Sequence, residues 1–131
     1  MSNEVVARAR QLVGVQFRAQ GRHAGEGLDC LGVVLHAFEL PESSGRSNYR
    51  VRGEHERELR SALAALFDEV SDEGHAADVI LCRVGPRQLH LLVCCGESFV
   101  HADAAIGRVV ETPWPPCWPI ISVHRWRDKR N

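Results

Sequence analysis

The chain of 131 residues is the size of one domain, long enough to close a hydrophobic core without disulfide or metal staples. With 25% charged residues and a formal net charge of -1 it has no basic footprint for nucleic acid or an anionic membrane, and neither is expected as a partner. Its five cysteines form an odd set without a Cys-x-x-Cys spacing, which argues against a disulfide scaffold and a paired-cysteine zinc site and predicts reduced thiols.

The N-terminus, Met1 to Val6, has neither a basic n-region nor an apolar h-region, and no stretch approaches a membrane span. The protein is therefore expected to be made and kept in the cytoplasm, or to leave by a route that needs no signal. Asn3 to Val13 carries Val5, Val6, Ala9, Leu12 and Val13 at helical spacing, with Gly14 as a stop. Val15 to Gly27 reads as a loop with glycines at 21, 25 and 27. A second helix follows Asp29, its stripe formed by Leu31, Val34, Leu35 and Phe38 and its end set by Pro41. Ser43 to Gly53 is polar and irregular. Glu54 to Phe67 predicts a third helix with Leu59, Ala62, Leu63 and Leu66 inward and Glu56 placed to pair with Arg60.

After Asp78 the pattern becomes extended. Asp78 to Val84, Leu89 to Cys95, Ser98 to Ala102 and Arg108 to Glu111 predict strands, with turns at Gly85-Pro86 and Gly96-Glu97. Trp114-Pro115-Pro116-Cys117-Trp118-Pro119 cannot be regular structure, Ile120 to Trp126 predicts a returning strand, and Asp128 to Asn131 a frayed tail. Helices first and strands after indicate a single α+β domain over residues 1–131, with an antiparallel sheet.

Cys30 carries the strongest chemical signal. Asp29 is a good N-cap, so Cys30 falls in the first helical turn, where unpaired backbone N–H groups and the helix dipole favour an anion. A thiol there is expected to ionise readily and to react fastest of the five. Gly32, one turn in, costs about 1 kcal/mol relative to alanine and marks a close backbone approach. The competing reading of any such residue is a buried structural cysteine.

A two-residue turn at Gly96-Glu97 sets Cys95 opposite Ser98, and by extension Leu92 opposite His101 and His90 opposite Asp103. Alternation then puts His90, Leu92 and Cys94 on one face with Phe99, His101 and Asp103, the two histidines diagonally adjacent. If the Cys30 helix packs its N-terminus over that face, one histidine serves as base to the thiol and the second group orients its ring. His23, His36, His55, His75 and His124 read as surface or satisfied core residues.

With these residues in view the chain resembles the NlpC-type cell-wall cysteine peptidases, a pared-down papain. The match lies in Gly-Leu-Asp-Cys-Leu-Gly at 27 to 32, Asp78-Val79-Ile80-Leu81, His90 opening a strand, and Phe99-Val100-His101-Ala102, in the same order over most of the chain. Gly14 to Gln20, Arg83, and Val109 to Trp114 with Trp118 resemble the branch encoded with phage tails and gene transfer agents. The resemblance implies a papain-like fold with the cysteine at a helix N-terminus packed on a C-terminal antiparallel sheet. It implies Cys30 as nucleophile, His90 as general base and His101 as orienting residue, with Asp103 the rival for that third place, and it makes Phe17, Asp29 and Trp114 the candidate substrate contacts. The implied substrate is the peptidoglycan stem peptide, cut next to γ-D-glutamate, with no cofactor or metal and with phage-tail-like particle proteins as partners.

Three departures from the family stand out. Phe17 replaces a tyrosine, Leu91 and Leu92 follow His90 where small residues are usual, and Ala77 stands where glycine commonly precedes the Asp78 strand. Two rivals follow: a zinc site built from Cys30, His90 and His101, and a structural tail module that keeps the fold as a binding surface. Trp114 and Trp118 either close one end of the core or wall the substrate groove. Arg125, Arg127, Lys129 and Arg130 read as a solvated basic terminus.

Overall fold

A computed structural model describes residues 2–41, 56–86 and 88–127. The expectations for Ser43 to Gly53, for His55 and for the tail from Asp128 lie outside the described residues. Helix α1 (Ser2–Gln11) buries Val5, Val6 and Ala9, with Glu4 in its first turn and Arg8 and Arg10 in its last, each suited to the helix dipole. Gly14 follows at φ 97° and donates its N–H to Val109. The segment read as a loop contains a small two-stranded sheet, β1 (Arg22–His23) against β2 (Gly27–Leu28). Strands of two residues are too short to show a period in sequence.

Helix α2 (Cys30–Ala37) begins behind Asp29, whose carboxylate accepts the Gly32 N–H. It ends at Ala37, four residues before Pro41, because Phe38 caps it and Glu39 turns the chain at φ 54°; Pro41 merely follows. Helix α3 (Glu56–Ala64) buries Leu59 and Leu63, and Arg60 donates to Glu56 at 3.1 Å. It does not reach Phe67. That residue opens β3 (Phe67–Val70), held by pairing with β8 (Ile120–Trp126), where Phe67 lies opposite Trp126. Phe38, Phe67 and Trp126 form one aromatic cluster with centroids 5.0–5.4 Å apart.

With β4 (Val79–Gly85), β5 (Gln88–Cys94), β6 (Ser98–Asp103) and β7 (Arg108–Pro113), these strands make a six-stranded antiparallel sheet ordered β3-β8-β4-β5-β6-β7. Alternation splits its side chains into two layers. Val79, Leu81, Leu89, Leu91, Val93, Val100 and Ala102 face the helices, packing on Val5, Ala9, Val33, Val34 and Leu59. Ile80, Cys82, Leu92, Cys94 and Phe99 face the other way, under Trp114 and Trp118. Leu91 and Leu92 are thus ordinary core residues, one on each face. Among the described residues no helix is long and apolar enough to cross a membrane.

Arg125 and Arg127 are not a solvated basic terminus. Arg125 donates to both oxygens of the buried Asp78 at 3.0 and 2.8 Å and to Asp72 at 2.9 Å, while Arg127 donates to Asp68 at 2.9 Å. Strand β8 runs beside β4 and β3, which puts these arginines next to the carboxylates that open those strands.

Candidate active site

Three glycines let the backbone pack tightly enough to place Cys30. A Cβ on Gly32 would run into the carbonyl oxygen of Gly21, and one on Gly21 would meet those of Gly27 and Arg18. The first turn of α2 therefore rests on the turn before β1. Arg22 Nη1 donates to Gly21 O at 3.1 Å and to Asp29 Oδ1 at 2.6 Å, and Asp29 Oδ1 also accepts the Gly32 N–H at 2.8 Å. Asp29 is thus a largely buried cap and ion-pair partner, with its Oδ1 engaged inside the protein.

The helix reaches the histidines by a route the register extension misses. Helix α2 packs on the face of Leu89, Leu91 and Ala102, opposite to His90 and His101. The two sets meet because β5 and β6 part: among the described residues their ladder is confined to Val93 opposite Val100 and Cys94 opposite Phe99. The expected pairs Leu92–His101 and His90–Asp103 are not in it. Cys30, His90 and Asp103 all line the cavity of about 280 Å³ at this end, with Phe17, Gln88 and Trp118. A cavity of about 660 Å³ between α2 and α3, lined by residues such as Leu35, Leu59 and Phe67, contains no such pair.

His90 Nε2 lies 2.8 Å from His101 Nδ1, and His101 Nε2 lies 3.3 Å from Thr112 Oγ1. Two tautomer chains satisfy both contacts, and the one that suits a base has His90 donating from Nε2 to His101 and His101 donating from Nε2 to Thr112. In that chain His90 Nδ1 is unprotonated and able to take a proton. Asp103 is held differently, its Oδ1 accepting the N–H groups of Ala105 and Ile106 at 2.9 and 3.0 Å. Its charge favours the protonated form of both histidines through space. Thr112 has no sequence signal of its own; only the β6–β7 register, which sets it opposite Phe99, brings it here.

The charge states reverse the expectation of an easily ionised thiol. Burial, with the adjacent Asp29 carboxylate, pushes the Cys30 thiol up to about 12, against the opposing pull of the Leu91 N–H, Arg22 and the Leu31 N–H. Burial, helped by His101, pushes His90 down to about 4. Both shifts favour the neutral thiol and the neutral imidazole for the two groups that line this cavity. Cys30 is only 2% exposed, and desolvation there opposes the charge that a helix N-terminus favours. Nor is Cys30 the thiol a solvent electrophile meets first, since Cys117 is exposed.

Of the two tryptophans, Trp118 walls the cavity, its ring 5.6 Å from His90 and 5.7 Å from His101. Trp114 does not. It packs on Phe99 at 6.2 Å and closes over Gly74, as part of the second core layer. The Pro119 carbonyl accepts the Arg83 N–H at 3.0 Å, which anchors the residue after Trp118 to β4. Among the described residues no group of three or more His, Cys, Asp or Glu side chains is placed to hold a metal ion.

No protein-family model matches the sequence, and no curated protein matches it. Solved structures do. The peptidoglycan hydrolase RipB of Mycobacterium tuberculosis superposes with a TM-score of 0.61 at 22% identity, over 95% of this chain and 63% of RipB. The P60 domain of an antigen from M. avium subspecies paratuberculosis superposes with a TM-score of 0.62 at 17% identity, over 95% of this chain and 93% of that domain. The chain has the NlpC/P60 fold. It spans less than two thirds of the RipB chain, so what it shares with RipB is the NlpC/P60 architecture of helices on an antiparallel sheet.

Proposed function

We propose that the protein is a cysteine peptidase that hydrolyses peptidoglycan stem peptides at the bond linking γ-D-glutamate to the diamino acid. The observation that carries this reading is that Cys30, at the start of α2, and His90, its ring held by His101 at 2.8 Å, open onto one cavity. The NlpC/P60 fold, which a peptidoglycan hydrolase also has, supports the wall as substrate. The choice of bond, and delivery on a phage-tail-like particle, rest on the sequence resemblance.

In this reading the substrate carbonyl carbon sits over Cys30 Sγ. As the S–C bond forms, the thiol proton passes to His90 Nδ1 and the carbonyl oxygen takes negative charge against the Cys30 N–H, which has no partner inside the helix. Collapse breaks the C–N bond, and His90 returns the proton to the leaving amine. Water, deprotonated by His90, then hydrolyses the thioester and restores the thiol. Because the resting pair is neutral, proton transfer accompanies attack rather than preceding it.

A second reading is favoured by the raised thiol and by Phe17 in the cavity wall: a catalytically weak member serving as a tail-assembly module. One experiment separates the two, namely mass spectrometry of defined muropeptides incubated with the parent protein and with Cys30→Ala. Cleavage between γ-D-glutamate and the diamino acid that Cys30→Ala abolishes is the expected result. Cleavage of the glycan strand, or of the lactyl amide alone, refutes the bond assignment; no Cys30-dependent product from folded protein favours the assembly module.

A further inference from the structure

We infer that Arg22 is a positioning residue for the Cys30 thiol: one guanidinium nitrogen, bonded to both Gly21 O and Asp29 Oδ1, neutralises the capping carboxylate beside the sulfur. Asp29 has a conflict built into it. As N-cap it must present an oxygen to the Gly32 N–H, which fixes the first turn of α2 and with it Cys30. As a carboxylate it opposes any negative charge on the adjacent sulfur. Two like charges in one buried site are costly, and the local remedy is a fixed cation.

Arg22 supplies that cation from β1. It is 8% exposed, it reaches Asp29 at 2.6 Å, and the Gly21 carbonyl holds the same nitrogen at 3.1 Å. Because the Asp29 N–H also donates to Gly21 O, at 3.2 Å, the arginine, the cap and the cysteine share one backbone anchor. Among the described residues the other titratable groups at this cavity come from β5 and β6: His90, with His101 behind it, and Asp103. Those groups decide where the thiol proton goes. Arg22 and Asp29 decide how much a charge left on sulfur costs.

The inference rests on reading Cys30 as the nucleophile, and its test needs no substrate. The rate of carbamidomethylation of Cys30 by iodoacetamide is followed between pH 7 and 10 by mass spectrometry of the Cys30 peptide, for parent, Arg22→Gln, Asp29→Asn, the double variant and Arg22→Lys. Below the thiol's own pKa this rate scales with the thiolate fraction, so rate ratios at one pH read pKa differences. Arg22→Gln should slow the reaction about tenfold and Asp29→Asn should speed it about tenfold, the sizes expected when one close charge is removed. The double variant should return to within about threefold of the parent. Arg22→Lys should also stay near the parent, because a single nitrogen makes both contacts.

A merely structural arginine would slow or speed both single variants alike and would not be rescued by Asp29→Asn. Equal rates in parent, Arg22→Gln and Asp29→Asn, or no Cys30 modification in any of them up to pH 10, overturn the inference. The expected pattern of rates together with absent muropeptide cleavage would sink the peptidase reading and leave Arg22 in its role.

Discussion

At the scale of single residues, His90 and Cys30 define how the site should respond to pH. The proposed reaction needs His90 unprotonated, and burial with His101 lowers its pKa to about 4. Activity is therefore lost as pH falls through about 4, well below the ordinary histidine range. The thiol, pushed up to about 12, supplies no alkaline rise in the range where the protein would be assayed. The expected profile of kcat/KM is a plateau from about pH 5.5 to 9 with an acid limb centred near 4. An acid limb centred near 6.5 would mean that His90 is solvated in the working enzyme. Ala77 illustrates a different residue-level effect. It sits at φ 74°, where a side chain costs roughly 1–2 kcal/mol, which is the physical reason a glycine would suit this place better. The site tolerates alanine because its neighbours over-determine the turn: the Ala77 N–H donates to Cys94 O at 2.7 Å.

At the scale of elements, legibility followed the range of the interactions that make each one. The β5–β6 hairpin could be read because Gly96, at φ 96°, is a local turn signal and alternation on either side is also local. Helix α2 could be read from the Asp29 cap and the Leu31 stripe. Strand β3 could not, since Phe67 owes its extended state to Trp126, 59 positions along the chain, and the residues before it favour a helix. The parting of β5 and β6 was equally hidden, since alternation carries no signal for where a ladder ends, so the histidine register was extended too far although the two rings do meet. The ion pair of Arg22 with Asp29 and the choice of Trp118 over Trp114 also depend on tertiary contacts that no spacing encodes. The same holds for Arg125. It clamps Asp78, which is 2% exposed on its side chain and also accepts the His75 N–H, so it ties β8 to the start of β4. Removing one partner of such a pair leaves an uncompensated buried carboxylate. Arg125→Met should cost roughly 3 kcal/mol, the low end for buried pairs because the arginine is itself partly exposed. Urea unfolding checks this, and a loss under about 0.5 kcal/mol would put Arg125 among ordinary surface arginines.

At the scale of the whole molecule, the buried histidines tie stability to pH. His90, His101 and His124 all have pKa values lowered chiefly by burial; His124 sits in the helix-side layer beside Ser122, which lies 2.7 Å from its Nε2. In the unfolded chain each imidazole takes a proton near pH 6.5, whereas in the fold it resists until a lower pH. Between those values the unfolded state binds more protons, so stability rises with pH and is lost as pH falls below about 6.5. Each such histidine contributes up to about 1.4 kcal/mol per pH unit inside its window. The carboxylates of Glu69, Asp72 and Glu111 are shifted the other way, lowered first by hydrogen bonds from Arg60, Arg125 and Ser98 respectively. Their stabilisation is present above the unfolded carboxylate pKa and fades only as pH drops through it, so they do not act at pH 5.5. Unfolding at that pH should therefore take up between one and three protons. Calorimetric unfolding enthalpies in buffers of different ionisation heat measure this uptake directly. Zero uptake at pH 5.5, with a midpoint that does not move from pH 7 to 5, would mean that the three imidazoles titrate in the fold as they do in water, and the neutral resting state assigned to the site would fall with them.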